Sequence, residues 1–243
     1  MAYTRVRGPL VSLSPAGLPS PDTVLSGQFV RLERLESKHA ADLFNLVGGD
    51  DPARTWLWDF MPDGPYDQFD AFEATVASRS TSSDPLFFAI IDRRSTAPTF
   101  EKAVGYVSLM RITPEHWTVE IGHVLFSSAL QRTAGATEAI YLLARHAFDD
   151  LHYRRVEWKC NALNIPSRKA AVRLGFTYEG AFRQHMVVKG RNRDTSWFSL
   201  LQSEWQQWVQ DAIAQWLDAG NFHVDGAQKK RLQDFRPAPK GQW

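Results

Sequence analysis

Cysteine is almost absent from this chain of 243 residues: Cys160 stands alone, so no internal disulfide can form. Stability therefore falls to an apolar core, which a chain of this length can bury. An excess of one charge is lacking too. Lys and Arg number 28 against 27 Asp and Glu, and this near balance lacks the concentrated basic surplus of a nucleic-acid or membrane-surface binder. No apolar run approaches the ~18 residues a bilayer span needs. The segment MAYTRVRGPLVSLSPAGLPSPD carries Arg5 and Arg7 but no apolar stretch of signal-peptide length. The expectation is a cytoplasmic protein with no nucleic-acid and no membrane partner.

What is abundant is tryptophan, nine in all, more than packing at this length requires. Residues 1–26, rich in Pro, Ser and Gly, read as a loosely held arm. QFVRLERL alternates apolar and charged residues as a half-buried strand does. ADLFNLVG has helical spacing and stops at Gly48 and Gly49. A loop crowded with aromatics, RTWLWDFMPDGPYDQF, leads to a predicted helix FDAFEATVASRS. LFFAIID, AVGYVSLMRI and TVEIGHVLF read as strands. TEAIYLLARHAFDDL places Ile140, Leu143, Ala144, Ala147 and Leu151 on one helical face. RRVEWKCNA is a strand, and PSRKAAVRLGF a short helix with Pro166 in its first turn and Gly175 past its end. FRQHMVVKGRNRDTSWFSLLQ reads as a hairpin turning at Gly190–Asn192. In 206–220, continuing from Trp205, an apolar stripe of Trp208, Val209, Ala212, Ile213, Trp216 and Leu217 predicts a helix packed on the domain. Residues 221–243 form a basic tail without periodicity.

The stretch LQRTAGATEA joins a strand to a helix through a polar turn of small residues. A helix start has unpaired N–H groups and partial positive charge, and small residues let its backbone approach an anion. By itself the pattern fits either an anion site or a plain turn. It is neither a Walker loop, since no Gly-Lys-Ser/Thr follows, nor a dinucleotide fingerprint, since it has one glycine.

Three pieces together, ATEAIYLLARHAF, NALNIPSRKAAVRLGFTYEG and GRNRDTSWFSLLQSEW, resemble the GNAT superfamily of acetyl-CoA-dependent N-acetyltransferases. The similarity is greatest to its RimJ/RimL-like branch, the ribosomal-protein N-terminal acetyltransferases. It covers residues 27–205. The resemblance implies an α+β fold whose central, mostly antiparallel mixed sheet, flanked by helices, splays open at the cofactor. The pantetheine arm would run beside Val124 to Phe126. The pyrophosphate would rest on Gln131, Arg132, Thr133, Ala134, Gly135, Ala136 and Thr137, and Asn164 would reach the cofactor from the other side. Where the family pattern has its first glycine this sequence has Ala134, with Gly135 one place later.

The family reaction is direct attack on the thioester, which needs no metal and no enzyme nucleophile, so Cys160 reads as a buried strand residue. The family often places a carboxylate base on the strand TVEIGHVLF, and here that is Glu120, which is either the base or an ordinary strand carboxylate. Alternation puts Glu120, Gly122 and Val124 on one face and His123 on the other, so Glu120 and His123 do not pair unless a bulge intervenes. The tyrosine that many members place seven residues after the Asn is Ala171 here. The branch's serine is matched by Ser167, either a donor to the leaving sulfur or a first-turn residue bonding only backbone. Trp56, Trp58, Asp59, Phe60 and Tyr66 either wall the amine pocket or simply pin their own loop.

The acceptor reads as a primary amine, a peptide α-amine or a small molecule, and the enzyme as monomer or homodimer. Two other readings stand beside this one. A non-catalytic acyl-CoA sensor would bind without turnover, and an unrelated phosphate-binding enzyme would prefer ATP or NAD.

Overall fold

The computed structural model describes residues 7–11, 15–224 and 226–236. Eight strands form one sheet in the order β1-β2-β3-β4-β5-β6-β8-β7. They are β1 (Leu25–Ser26), β2 (Val30–Arg34), β3 (Leu86–Asp92), β4 (Ala103–Thr113), β5 (Thr118–Phe126), β6 (Arg155–Asn161), β7 (Thr177–Val188) and β8 (Arg191–Leu201). Neighbours are antiparallel except β5 and β6, which run parallel. The α+β sheet expected from the sequence is present.

Helices cover both faces. On one side lie α1 (Ala40–Val47), the single turn α2 (Pro52–Thr55) and α3 (Phe69–Ser80). Their core contains Leu43, Val47, Phe72 and Val76 against Phe87 and Tyr106 of the sheet. On the other side lie α4 (Ala134–Arg145), α5 (Ile165–Arg173), α6 (Gln202–Glu204) and α7 (Gln210–Leu217). They share a core with Phe88, Val107, Ile121, Val156 and Phe198. β3 is buried along its whole length, as a strand covered on both faces must be, and its sequence LFFAIID is correspondingly apolar throughout.

Two segments are more ordered than their composition predicts. Within the arm, Gly17 donates to the Leu151 carbonyl and β1 pairs with β2. The buried carboxylate of Glu138 on α4 accepts from the backbone N–H groups of Gln28, Phe29 and Val30 at 2.7, 2.6 and 2.8 Å, pinning the start of β2. In the tail, Leu232–Phe235 makes a helical turn whose Leu232 is buried in the core. Neither segment shows a period because single anchors, not a repeating face, hold each of them. Residues 1–6, 12–14, 225 and 237–243 of the arm and tail lie outside the described residues.

The segment RTWLWDFMPDGPYDQF, read as loop, begins inside α2 and continues in a further turn at Trp56–Trp58; Asp51, the N-cap of α2, accepts from Ala53 N–H. The hairpin turns at Lys189–Gly190, both at positive φ, one position earlier than expected. The tryptophan stripe packs within the chain: Trp205, Val209, Ile213 and Trp216 are all buried, with a π-helical turn at Trp205–Val209. Among the described residues no helix is long and apolar enough to cross a membrane.

Candidate active site

β5 and β6 pair over only three positions, Thr118 with Arg155, Val119 with Val156 and Glu120 with Glu157. Beyond them β5 stays with β4 and β6 stays with β8, so the two strands part and leave facing edges unpaired with each other. Such edges can accept an extended polar chain as an added strand.

A β-bulge shapes the β5 side. Tyr106 faces Leu125 and Ser108 faces Gly122, so three steps on β5 match two on β4, and His123 takes up the extra residue at φ +48°. The face pattern then shifts. Leu125 joins the core on the α1–α3 side, while Val124 and Phe126, both half-buried, pack toward α4 and α5. The expected grouping of Val124 with Glu120 is therefore corrected. His123 instead comes to the Glu120 side, its ring 5.1 Å from that of Phe87.

The Glu120 carboxylate is buried. Its Oε2 accepts from Lys159 Nζ at 2.8 Å and lies 3.4 Å from Arg111 Nε, and Oε1 has no protein partner among the described residues. Burial pushes this carboxyl above its usual range against the pull of Lys159 and Arg111. Lys159 is itself buried, paired also with Glu157 at 2.6 Å and seated 4.0 Å over the Trp197 ring. His123 differs. Burial and the nearby Arg79 push its imidazole down to about 4, so it stays neutral near pH 7, and its Nδ1 is buried without a protein partner.

On the opposite side of the opening, α5 begins at Asn164, whose Oδ1 accepts from Ser167 N–H at 3.0 Å. The Ser167 Oγ accepts from Trp158 Nε1 at 3.0 Å, so its own O–H can point elsewhere. Burial raises the Cys160 thiol above its ordinary range, which keeps it protonated. Ala171 is fully buried.

At the far end, the turn after β5 leads into α4. Gln131 Nε2 donates to the Phe126 carbonyl at 2.9 Å, Arg132 sits exposed at φ +61°, and Thr133 is the N-cap, accepting from Ala136 N–H at 3.4 Å. Ala134, Gly135 and Ala136 are thus the first helical residues, whose N–H groups have no intrahelical acceptor. Gly135 answers a packing need: a Cβ there would lie 2.8 Å from Val30 Cγ1. Thr137, one turn in, accepts from Arg173 Nη1 at 2.8 Å.

The aromatic loop divides. Trp58 is fully buried, with Nε1 donating to the Val47 carbonyl. Tyr66 packs on Trp58 and Phe72 and donates to Asp63 at 2.6 Å, in a network continued by Arg79 to Tyr106. Trp56 is about half exposed and lies apart from the cavity. Trp58, Asp59 and Phe60 line a cavity of about 260 Å³ with Asn161, Lys189, Arg191 and Arg193. Asn161 shares a strand face with Lys159, so this cavity lies on the Glu120 side of the sheet.

Sequence reasoning missed Lys159, Arg193 and the placement of His123. Lys159 was legible as the charged position of an alternating strand, but its partners depend on the β5–β6 register. His123 required the bulge, and φ +48° at a histidine leaves no mark in sequence.

With this geometry in place, the chain can be set beside known proteins. Residues 30–177 match the family described as the acetyltransferase (GNAT) domain, and the chain belongs to that family. A crystal structure of a GCN5-related N-acetyltransferase from Brucella melitensis is 42% identical, with TM-score 0.86 over 92% of this chain and 97% of that one. A protein of Bacillus licheniformis named as an uncharacterized N-acetyltransferase, p20, is 32% identical over 43% of this chain, an alignment spanning 58% of that protein's length. The ribosomal-protein-serine acetyltransferase of Escherichia coli is 24% identical over 67% of this chain and 87% of its own. These names support the RimJ/RimL-like branch.

Proposed function

We propose that this protein transfers the acetyl group of acetyl-CoA to a primary amine by direct attack. The observation that carries the reading is the parting of β5 from β6 after Glu120 and Glu157, with a helix start at one end of the gap and a charged cavity at the other.

The residues fit the cofactor. The unpaired edges beside Val124 and Phe126 suit the amide groups of the pantetheine arm, and the Asn164 amide nitrogen is left to donate to it. The free N–H groups of Ala134 and Gly135, with Arg132, Thr133, Ala136 and Thr137 around them, suit the pyrophosphate. Bound there, acetyl-CoA supplies an activated acyl carbon and a thiolate leaving group. Glu120, through the free Oε1 and a water, takes the proton the amine loses as its N–C bond forms and the C–S bond breaks. Ser167 O–H donates to the departing sulfur. Cys160, buried and protonated, has no part in the transfer. We read the enzyme as cytoplasmic, on its single cysteine and balanced charge.

The test is release of free thiol from acetyl-CoA across a panel of N-terminal peptides, amino acids, polyamines and aminoglycosides, with wild type and Glu120→Gln side by side. Turnover that falls about 100-fold in the variant supports the assignment. Coenzyme A binding without turnover of any amine overturns it in favour of an acyl-CoA sensor.

A further inference from the structure

The β7–β8 hairpin carries Lys189, Arg191 and Arg193 into the wall of the cavity beside the reaction centre, where Asp59 is the one acidic side chain among the described lining residues. None of the three cations has a carboxylate within ion-pair distance among the described residues. Lys189 Nζ donates to the Trp58 carbonyl at 2.7 Å, and Arg193 Nε donates to Thr195 Oγ1 at 3.1 Å. Lys189 and Arg191 are exposed, but Arg193 is half-buried, and loss of solvent lowers its pKa. A guanidinium removed from water without a counter-ion is costly to the fold, and a bound anion offsets that cost.

Arg193 is also central to the site. Its Nε donates to the hydroxyl of Thr195, the partner of Asn161 on β6, so it stands on the face of Lys159 beside the strand that borders the gap. The rest of this polar face is neutralised internally: Lys159 by Glu120 and Glu157, and Arg155 by Glu157 and Glu179. The unmatched charge is confined to the hairpin wall.

Resting on the acetyltransferase reading above, we propose that this cavity takes an amine acceptor bearing a carboxylate a few bonds from its nitrogen, with Arg193 as the residue that holds the carboxylate. Arg193 presents a planar fork suited to a carboxylate, Lys189 adds a second positive charge, and Asn161 adds a neutral polar contact. The amine then projects toward Glu120 and the gap. A polyamine or aminoglycoside meets three cations there and is disfavoured.

The experiment measures thiol release from acetyl-CoA with matched acceptors: free amino acids against their amides, and peptides beginning Asp or Glu against those beginning Asn or Gln, with spermidine alongside. The proposal expects kcat/KM at least tenfold higher for the carboxylate member of a pair, carried mainly by KM. The first set of pairs identifies a small acceptor, the second an acidic peptide N-terminus. Arg193→Met brings the ratio within a pair close to one, and Arg193→Lys leaves it intermediate. Coenzyme A affinity serves as the folding control, with Arg193→Gln used should the Met variant lose it. Equal rates within both sets, preference for spermidine, or a ratio unchanged in Arg193→Met overturns the proposal while leaving the acetyltransferase reading intact. No thiol release with any amine overturns that reading instead.

Discussion

Lys159 Nζ lies 2.8 Å from Glu120 Oε2, bridging β5 and β6 at the last position where the two strands pair. In parallel register Glu120 faces Glu157, and two buried carboxylates so placed repel each other. Lys159 satisfies both, and thereby holds closed the apex from which the gap opens.

Removing the lysine leaves two buried carboxylates without their shared cation. Lys159→Met is expected to lower unfolding free energy by about 3 kcal/mol at pH 7, in the range for breaking a buried pair. Glu120→Gln, which leaves Lys159 with Glu157, costs less. The Glu120 carboxyl is already raised by burial, so the folded state binds its proton more tightly than the unfolded chain does. Its stability contribution is therefore present below the unfolded pKa and lost as pH rises, so the deficit of Glu120→Gln should shrink as pH rises from about 5 to about 7. Urea unfolding at both pH values checks this; equal costs for the two substitutions would contradict it.

His123 has the opposite sign. Its folded pKa of about 4 lies below the ordinary 6.5, so the unfolded chain takes up the proton first as pH falls. Its contribution is intact above about pH 6.5 and is lost between there and pH 4, up to about 3 kcal/mol for the difference of 6.5 − 4 units. His123→Phe keeps a ring against Phe87 and removes the titration. The variant should show a flatter dependence of unfolding free energy on pH across that window. A slope equal to wild type would mean that the imidazole is solvated and ordinary.

These two residues also mark how far the sequence could be read. The strands and most helices followed from local period, and α3 spans the twelve residues its pattern predicts. Residues that act through their own backbone position, such as Pro166 in the first turn of α5, were legible for the same reason. The side chains of the opening were harder. One extra residue at His123 inverts the alternation, and the charges of Glu120 and Lys159 meet across strands 39 residues apart. The aromatics of 56–66 show the reverse case. Tyr66 has the composition of an amine cage, yet it is fixed by a hydrogen bond to Asp63 and lies outside the cavity lining, whereas Trp58, anchored at Val47, does line it.

Gly135 gives a test of the helix start. Its backbone is not left-handed, so alanine is conformationally acceptable, and the obstacle is Val30 Cγ1 at 2.8 Å and Leu130 Cδ1 at 3.3 Å from the added Cβ. Gly135→Ala is expected to cost about 1–3 kcal/mol by overpacking and to weaken coenzyme A binding by tilting α4 off β2. Adding Val30→Ala makes room, and the double variant should recover coenzyme A affinity although it leaves the β2 core less filled. Titration calorimetry on the three proteins decides. Failure of the second substitution to restore affinity would mean that Gly135 is needed at the ligand, not at Val30.

One arginine of α5 reaches the same helix start, and a second, from the C-terminal segment, sits on α5 behind it. Arg173 donates to Thr137 Oγ1 and lies 4.9 Å from the Trp216 ring, and Arg236 donates to the Val172 carbonyl at 2.9 Å and lies 5.6 Å from Trp208. Neither has a carboxylate partner among the described residues, and Arg236 Nη2 is buried without an acceptor. Burial, reinforced by repulsion from Arg173, pushes Arg236 down to about 10. Both therefore gain from an added anion beyond the pyrophosphate, which coenzyme A carries as its 3′-phosphate. Dephospho-coenzyme A should bind at least tenfold more weakly than coenzyme A to the wild type. Arg236→Met should reduce that ratio severalfold by weakening coenzyme A while leaving dephospho-coenzyme A nearly unaffected. If the variant weakens both ligands equally, Arg236 supports α5 through Val172 and does not meet the phosphate.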